Sequence, residues 1–212
     1  PKTQTKDVPL DPQTLSLYET QLLEIEQKYA ALPTGNVVFY GSSSIRLWPG
    51  LGRAFPEWTT ENWGFGGSTL AYCAHFFERF VGPRKPCQLV IYGGDNDLAL
   101  GDSPETVWEN LHAIFEMRDR LFGPIEMAVF SIKLSPARTQ SRELVETANE
   151  WCQREVLSRQ NAVWVEIFEE MLSQNGEPDP KFYTADGLHL SRAGYNLWNH
   201  ALRREMLGGR GN

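Results

Sequence analysis

The 212-residue chain is short of several things, and each shortage removes a class of function. Cysteine occurs three times, at Cys73, Cys87 and Cys152, with no Cys-x-x-Cys pair. An odd count without that spacing suggests neither a disulfide framework nor a zinc knuckle, and reads as reduced, buried thiols. No apolar run approaches the roughly 18 residues of a membrane span. There is no Lys/Arg-rich run, and 20 basic against 27 acidic residues leave a formal net charge of −7. That balance argues against nucleic acid and against an anionic membrane surface as partners. Neither Gly-x-Gly-x-x-Gly nor a Walker A pattern occurs, which disfavours nucleotide binding. Asp95-Asn96-Asp97 could open a calcium loop, but Ala99 and Leu100 stand where an oxygen ligand and a glycine are needed. The chain begins at Pro1 rather than Met. A removed leader therefore stays open, and the location is cytoplasmic or, with a leader removed, periplasmic or secreted.

What is present is ordinary for a globular domain: 41% hydrophobic and 22% charged residues. Residues 1–13 are polar and Pro-containing and read as an arm. Residues 14–31 carry apolar side chains mostly at helical spacing and predict an amphipathic helix, stopped by Pro33-Thr34-Gly35. Short apolar runs at 36–40, 58–63, 87–92, 126–132 and 162–168 predict strands. Helical patterns fill 68–80, 104–121, 141–158 and 190–206, with Ser103 and Ser191 as N-caps and Pro104 at the first helical position. No repeat and no linker divides the chain, which is expected to form residues 1–13 as arm, 14–33 as a packed helix and 34–208 as one domain. Continuous apolar strands alternating with helices imply βαβ units, a five-stranded parallel sheet and an open three-layer α/β fold. Right-handed crossovers then place every strand-to-helix loop on one edge, where such folds bind ligands.

Four of those loops are unusual. They are Gly41-Ser42-Ser43-Ser44, Asn62-Trp63-Gly64-Phe65-Gly66-Gly67-Ser68, Gly94-Asp95-Asn96-Asp97, and Asp186-Gly187-Leu188-His189. A serine in a strand-to-helix turn needs a base to act as a nucleophile. Of the four histidines, His75, His112 and His200 lie in helical patterns, and only His189 lies in a loop at this edge. Asp186, three residues earlier, can turn back on the imidazole and hold its tautomer, the orienting role of the acid in a serine triad. The Ser43 N–H, the Gly67 N–H and the Asn96 amide are uncharged donors of the kind that build an oxyanion hole. Singly, each loop also reads as a turn or a cap; the combination in this order is what points to acyl transfer.

These residues resemble the SGNH hydrolases, or GDSL esterases/lipases, over 36–206. Gly41-Ser42-Ser43 stands where the family has Gly-Asp-Ser. Asn62 to Gly67 matches Asn-x-Gly-x-x-Gly, Gly94 to Asp97 matches Gly-x-Asn-Asp, and Asp186 to His189 matches Asp-x-x-His. The resemblance implies a flavodoxin-like α/β/α sandwich with strand order 2-1-3-4-5. It implies Ser43, Asp186 and His189 as catalytic triad, Ser43, Gly67 and Asn96 as oxyanion hole, and neither cofactor nor metal. Ser42 departs from the family pattern at a position outside the triad, where it could alter how the loop is pinned. The Asn62 to Gly67 loop is similar to that of the platelet-activating-factor acetylhydrolase catalytic subunits, whose substrates carry short acyl groups. Trp48, Trp63, Phe65 and Tyr72 lie close in sequence to these loops. They either crowd a long acyl chain, favouring an acetyl ester of a carbohydrate or lipid, or belong to the core. The rival readings are a catalytically silent binding or scaffolding protein of the same fold and a phosphate-binding flavodoxin-like module. Oligomeric state is not expected from any of these features.

Overall fold

Side-chain alternation along the strands decides what covers each face of the sheet. In the computed structural model, which describes residues 10–208, β1 (Val37–Gly41), β2 (Thr60–Gly64), β3 (Gln88–Tyr92), β4 (Glu126–Phe130) and β5 (Ala162–Val165) form one sheet. Every pairing is parallel and the order is β2-β1-β3-β4-β5. Val38, Tyr40, Leu89, Ile91, Met127 and Val129 enter one core; Val37, Phe39, Val90, Tyr92, Ala128 and Phe130 enter the other. Because residues two apart share a face, β1 and β3, buried at all five positions, feed both layers.

The first layer is covered by α1 (Pro12–Tyr29), α4 (Leu70–Phe76), α6 (Pro104–Phe122) and α7 (Arg142–Ser158). The second is covered by the short α2 (Ser43–Arg46) and α3 (Leu51–Ala54) and by α8 (Arg192–Met206). On that side Trp198 is fully buried and stacks on Phe130 with centroids 4.7 Å apart. Each such large apolar side chain contributes on the order of 2–3 kcal/mol by leaving water. The flavodoxin-like α/β/α sandwich implied by the resemblance is the fold found.

Boundaries differ in instructive places. The first helix begins at Pro12, not residue 14, because the Asp11 side chain caps it by accepting from Thr14 N, and Pro12 needs no donor there. The arm reading of 1–13 thus gives way at its last residues to a helix start, while its first nine residues lie outside the described residues. The helical stretch expected at 68–80 is α4 followed by a wider π-type turn, Phe77–Val81. The caps Ser103 and Ser191 accept from Thr106 N and Gly194 N, as expected. On the site edge a short helix, α5 (Asp95–Leu100), stands where a polar loop was expected. Cys73 and Cys152 are buried, but Cys87 is exposed, contrary to the reading of all three as buried thiols. No described helix is long and apolar enough to cross a membrane.

Candidate active site

At the end of β1 the chain turns directly into α2. Ser42 is extended (φ −80°, ψ −166°) and Ser43 is the first helical residue, so the Ser43 N–H has no carbonyl within its helix to bond. The turn is held by its backbone: Ser42 N donates to Tyr92 O (3.1 Å), and Ser42 O accepts from Ile45 N and Arg46 N. The end of β2 packs against it closely. A Cβ on Gly64 would lie 2.2 Å from Arg46 N. The Asn62 side chain braces the two by donating to Ile45 O (2.7 Å) and accepting from Gly64 N (3.0 Å).

The next loop carries Gly67 at φ +78°, a left-handed conformation that favours glycine. Ser68 turns its hydroxyl back to Gly41 O (3.3 Å) and Phe65 O (3.1 Å), tying this loop to the Ser43 turn. Its carbonyl accepts from Asn96 Nδ2 at 3.0 Å. Asn96 lies in the first turn of α5, and its Oδ1 accepts from Arg138 Nη2 at 3.0 Å. With its oxygen on a guanidinium and one amide hydrogen on Ser68 O, the Asn96 amide can face only one way, and one N–H remains for another acceptor. α1 supports the same loop from outside: Gln21 Oε1 accepts from Gly66 N (3.0 Å) and Tyr29 Oη from Asn62 N (2.9 Å).

His189 and Asp186 sit in the loop before α8. His189 Nδ1 lies 2.7 Å from Asp186 Oδ2, while Asp186 Oδ1 accepts from His189 N, Leu188 N and Thr184 Oγ1. The hydrogen bond from His189 is the largest cause holding the Asp186 carboxyl well below the usual carboxylate range, and the other three donors lower it further. An ionised carboxylate only accepts, so Nδ1 carries the proton and Nε2 is left as the basic nitrogen. The loop is joined to the Asn96 side of the site through Ala137 N, which donates to Gly187 O (3.1 Å) next to Arg138. α8 is joined to the Ser43 turn through Tyr195 Oη, which donates to Ser44 O (2.9 Å). All four expected loops therefore meet at one edge through named hydrogen bonds. Asp186 and His189 touch, and so do Asn96 and the Gly67-Ser68 loop. Among the described residues no hydrogen bond joins the Ser43 hydroxyl to His189; contacts of this kind commonly tighten only with substrate in place.

The GDSL-like lipase/acylhydrolase family model matches residues 37–197, well over half of the chain. The chain belongs to the GDSL-like lipase/acylhydrolase family. It is an ester hydrolase. No curated protein matches it. Among solved structures it is similar in fold to a Streptococcus pneumonia protein provisionally described as a platelet activating factor, at 24% identity and TM-score 0.68, covering 92% of this chain and 98% of that one. A GDSL-like lipase from Bacteroides thetaiotaomicron aligns at 19% identity and TM-score 0.70, covering 90% and 97%. A carbohydrate esterase of family 3 from Talaromyces cellulolyticus aligns at 14% and 0.60, covering 78% and 93%.

Several residues around this acylhydrolase's site carry no sequence motif. Arg138 orients Asn96 and also donates to Asp95 O (2.9 Å). Lys133 Nζ lies 2.7 Å from Asp95 Oδ2, both side chains buried. Burial alone would raise the Asp95 carboxyl, but the Lys133 and Arg138 charges outweigh it and hold it low. A lysine in the apolar run Ser131-Ile132-Lys133-Leu134 was the available signal, since a charge there needs a partner. Of the four aromatics weighed as acyl-site walls, Trp63 and Phe65 are fully buried and Trp48 nearly so; they are core. Tyr72 is half-buried, its hydroxyl accepting from Asp11 N.

Ser42, standing where the family carries Asp, has a buried hydroxyl without a hydrogen-bond partner among the described residues. The loop is pinned by backbone bonds instead, so Ser42→Ala should leave both turnover and urea midpoint nearly unchanged, within about 0.5 kcal/mol. A large loss in either would mean that the hydroxyl pins the loop after all.

Asp97 behaves differently. Its Oδ1 accepts from Leu70 N (2.8 Å), its Oδ2 is buried without a partner among the described residues, and burial pushes the carboxyl up to about 7. Between an unfolded pKa near 4 and this value the folded state binds more protons, so this group's contribution to stability falls as pH rises from about 4 to about 7 and is flat above. Asp97→Asn keeps an acceptor for Leu70 N and removes the titration. Urea unfolding should show the variant gaining on the parent across that range, by at most about 1.4 kcal/mol per pH unit. A stability difference independent of pH would show that Asp97 is ionised throughout.

Proposed function

We propose that the chain is a metal-independent serine esterase for short acyl, chiefly acetyl, esters. Ser43 Oγ attacks the ester carbonyl as His189 Nε2 takes its proton, and the carbonyl oxygen becomes an oxyanion between Ser43 N–H, Gly67 N–H and the remaining Asn96 N–H. Collapse breaks the bond to the alcohol, which leaves with the proton from His189. Water, deprotonated by the same ring, then attacks the acyl-Ser43 ester and regenerates the serine. Asp186 keeps Nδ1 protonated and stabilises the imidazolium in each half. The observation that carries this reading is the Asp186–His189 pair, bonded at 2.7 Å in the loop that leads into α8, whose Tyr195 holds the Ser43 turn.

A short acyl group is suggested by the likeness of the Asn62 to Gly67 loop to that of the platelet-activating-factor acetylhydrolase catalytic subunits. The alcohol half is that of a carbohydrate or lipid. Hydrolysis of 4-nitrophenyl esters from acetyl to palmitoyl tests this: kcat/KM should be highest at acetyl and fall steadily with chain length. A maximum at eight carbons or beyond would overturn the short-acyl assignment.

A further inference from the structure

A groove of about 710 Å³ runs between α1 and the turns that end β1 and β2. Gln21, Glu24 and Lys28 line it from α1, and Arg46, Gly50 and Asn62 from the other side. Ser43 and Arg46 stand three residues apart on the single turn of α2 and so share a face. The Arg46 guanidinium lies across Gly66: a Cβ built there would meet Nε at 3.0 Å and Nη2 at 3.3 Å. A cation thus sits where the groove meets the loop carrying Gly67. Arg53 adds a second, its Nη2 3.0 Å from the position of a Cβ on Gly50, and Lys28 a third.

None of these three cations has a carboxylate within ion-pair distance among the described residues. Every other described arginine except Arg192 holds one. Among the described residues Glu24 is the one carboxylate on the groove wall. In a chain of net charge −7, this local surplus of unpaired positive charge runs against the overall field and is suited to drawing an anion toward the groove. The guanidinium also offers the fork that carboxylate and phosphate accept in pairs.

We propose that this groove holds an anionic substituent, carboxylate or phosphate, on the alcohol half of the ester, with Arg46 as the residue that selects it. The assignment rests on the esterase reading for its place in catalysis. The alcohol half is the one that fits, since a short acyl group is too small to fill a groove of about 710 Å³.

The test is a matched set of acetyl esters: methyl 4-acetoxybenzoate, which is neutral, 4-acetoxybenzoate, and 4-acetoxyphenyl phosphate. For Arg46→Gln, KM for the two anionic esters should rise about tenfold or more, the usual scale of a charge-assisted hydrogen bond, while kcat/KM for the neutral ester stays within about twofold. Arg46→Lys should recover part of the loss, and the larger effect between the two anions names the preferred group. Equal losses on neutral and anionic esters would make Arg46 a support of the loop and overturn the proposal, as would no loss at all. Calorimetric titration with the alcohol products 4-hydroxybenzoate and 4-hydroxyphenyl phosphate reads the groove without turnover. At least one of them should bind the parent and not Arg46→Gln. If none of the esters turns over and Ser43 takes no fluorophosphonate label, the esterase reading fails separately. Equal binding of these anions to both proteins, or of neither anion to the parent, refutes the groove on its own.

Discussion

Ser43→Ala should remove turnover of 4-nitrophenyl acetate, lowering kcat on the order of 10⁶-fold, because losing the nucleophile costs about as much as losing a whole triad. The fold should not notice. The Ser43 side chain is half-buried, and its hydroxyl makes no hydrogen bond among the described residues, so the urea midpoint should move by no more than about 0.5 kcal/mol. The adjacent hydroxyls are the sharpest controls. Ser42 is buried with a hydroxyl that has no partner among the described residues, and Ser44 is buried with its carbonyl bonded to Tyr195 of α8; both alanine variants should stay active. Loss of activity in Ser42→Ala or Ser44→Ala, with Ser43→Ala active, would shift the nucleophile by one residue. Because the triad acts as a unit, His189→Ala added to Ser43→Ala should cost little more than either change alone.

The second large effect belongs to Asn96. Its amide is held between Arg138 and Ser68 O with one N–H to spare, a donor whose orientation is set before substrate arrives. Such a donor acts mainly when the carbonyl oxygen gains charge, so Asn96→Ala should lower kcat by on the order of 10²–10³ and leave KM nearly unchanged. Stability should fall by far less than the roughly 3–4 kcal/mol that this rate loss represents. A reactive fluorophosphonate should still label Ser43 in the variant. An unfolded Asn96→Ala protein, or a folded one with unchanged kcat, would show that Asn96 merely holds its turn and that the oxyanion is stabilised elsewhere.

How much of this was legible in advance depended on how local the physics was. The runs Val37 to Tyr40 and Leu89 to Tyr92 announced strands because a strand buried on both faces must be apolar throughout. The loops that end them followed from the handedness of the crossovers. Asp186 and His189, three residues apart, could be paired by chain proximity alone. Arg138 and Asn96 are separated by 42 residues, and nothing local to either names the other; only the folded 3₁₀ turn Pro136–Ser141 brings them together. For Trp63 and Phe65, nearness in sequence to the site edge left substrate wall and core both open; side-chain alternation at the end of β2 decides it by sending both into the layer under α1. The start of α1 was hidden because Asp11-Pro12 reads as a turn until Thr14 N is seen to bond the aspartate. α5 was hidden because three polar residues after two glycines look like a loop.

A fluorophosphonate probe followed by peptide mass spectrometry decides whether Ser43 is the nucleophile. A single phosphonyl adduct is expected on the peptide containing Ser42, Ser43 and Ser44, with fragmentation placing it on Ser43 and the adduct lost in Ser43→Ala. An adduct on any other residue, or an unlabelled wild-type protein, would contradict it.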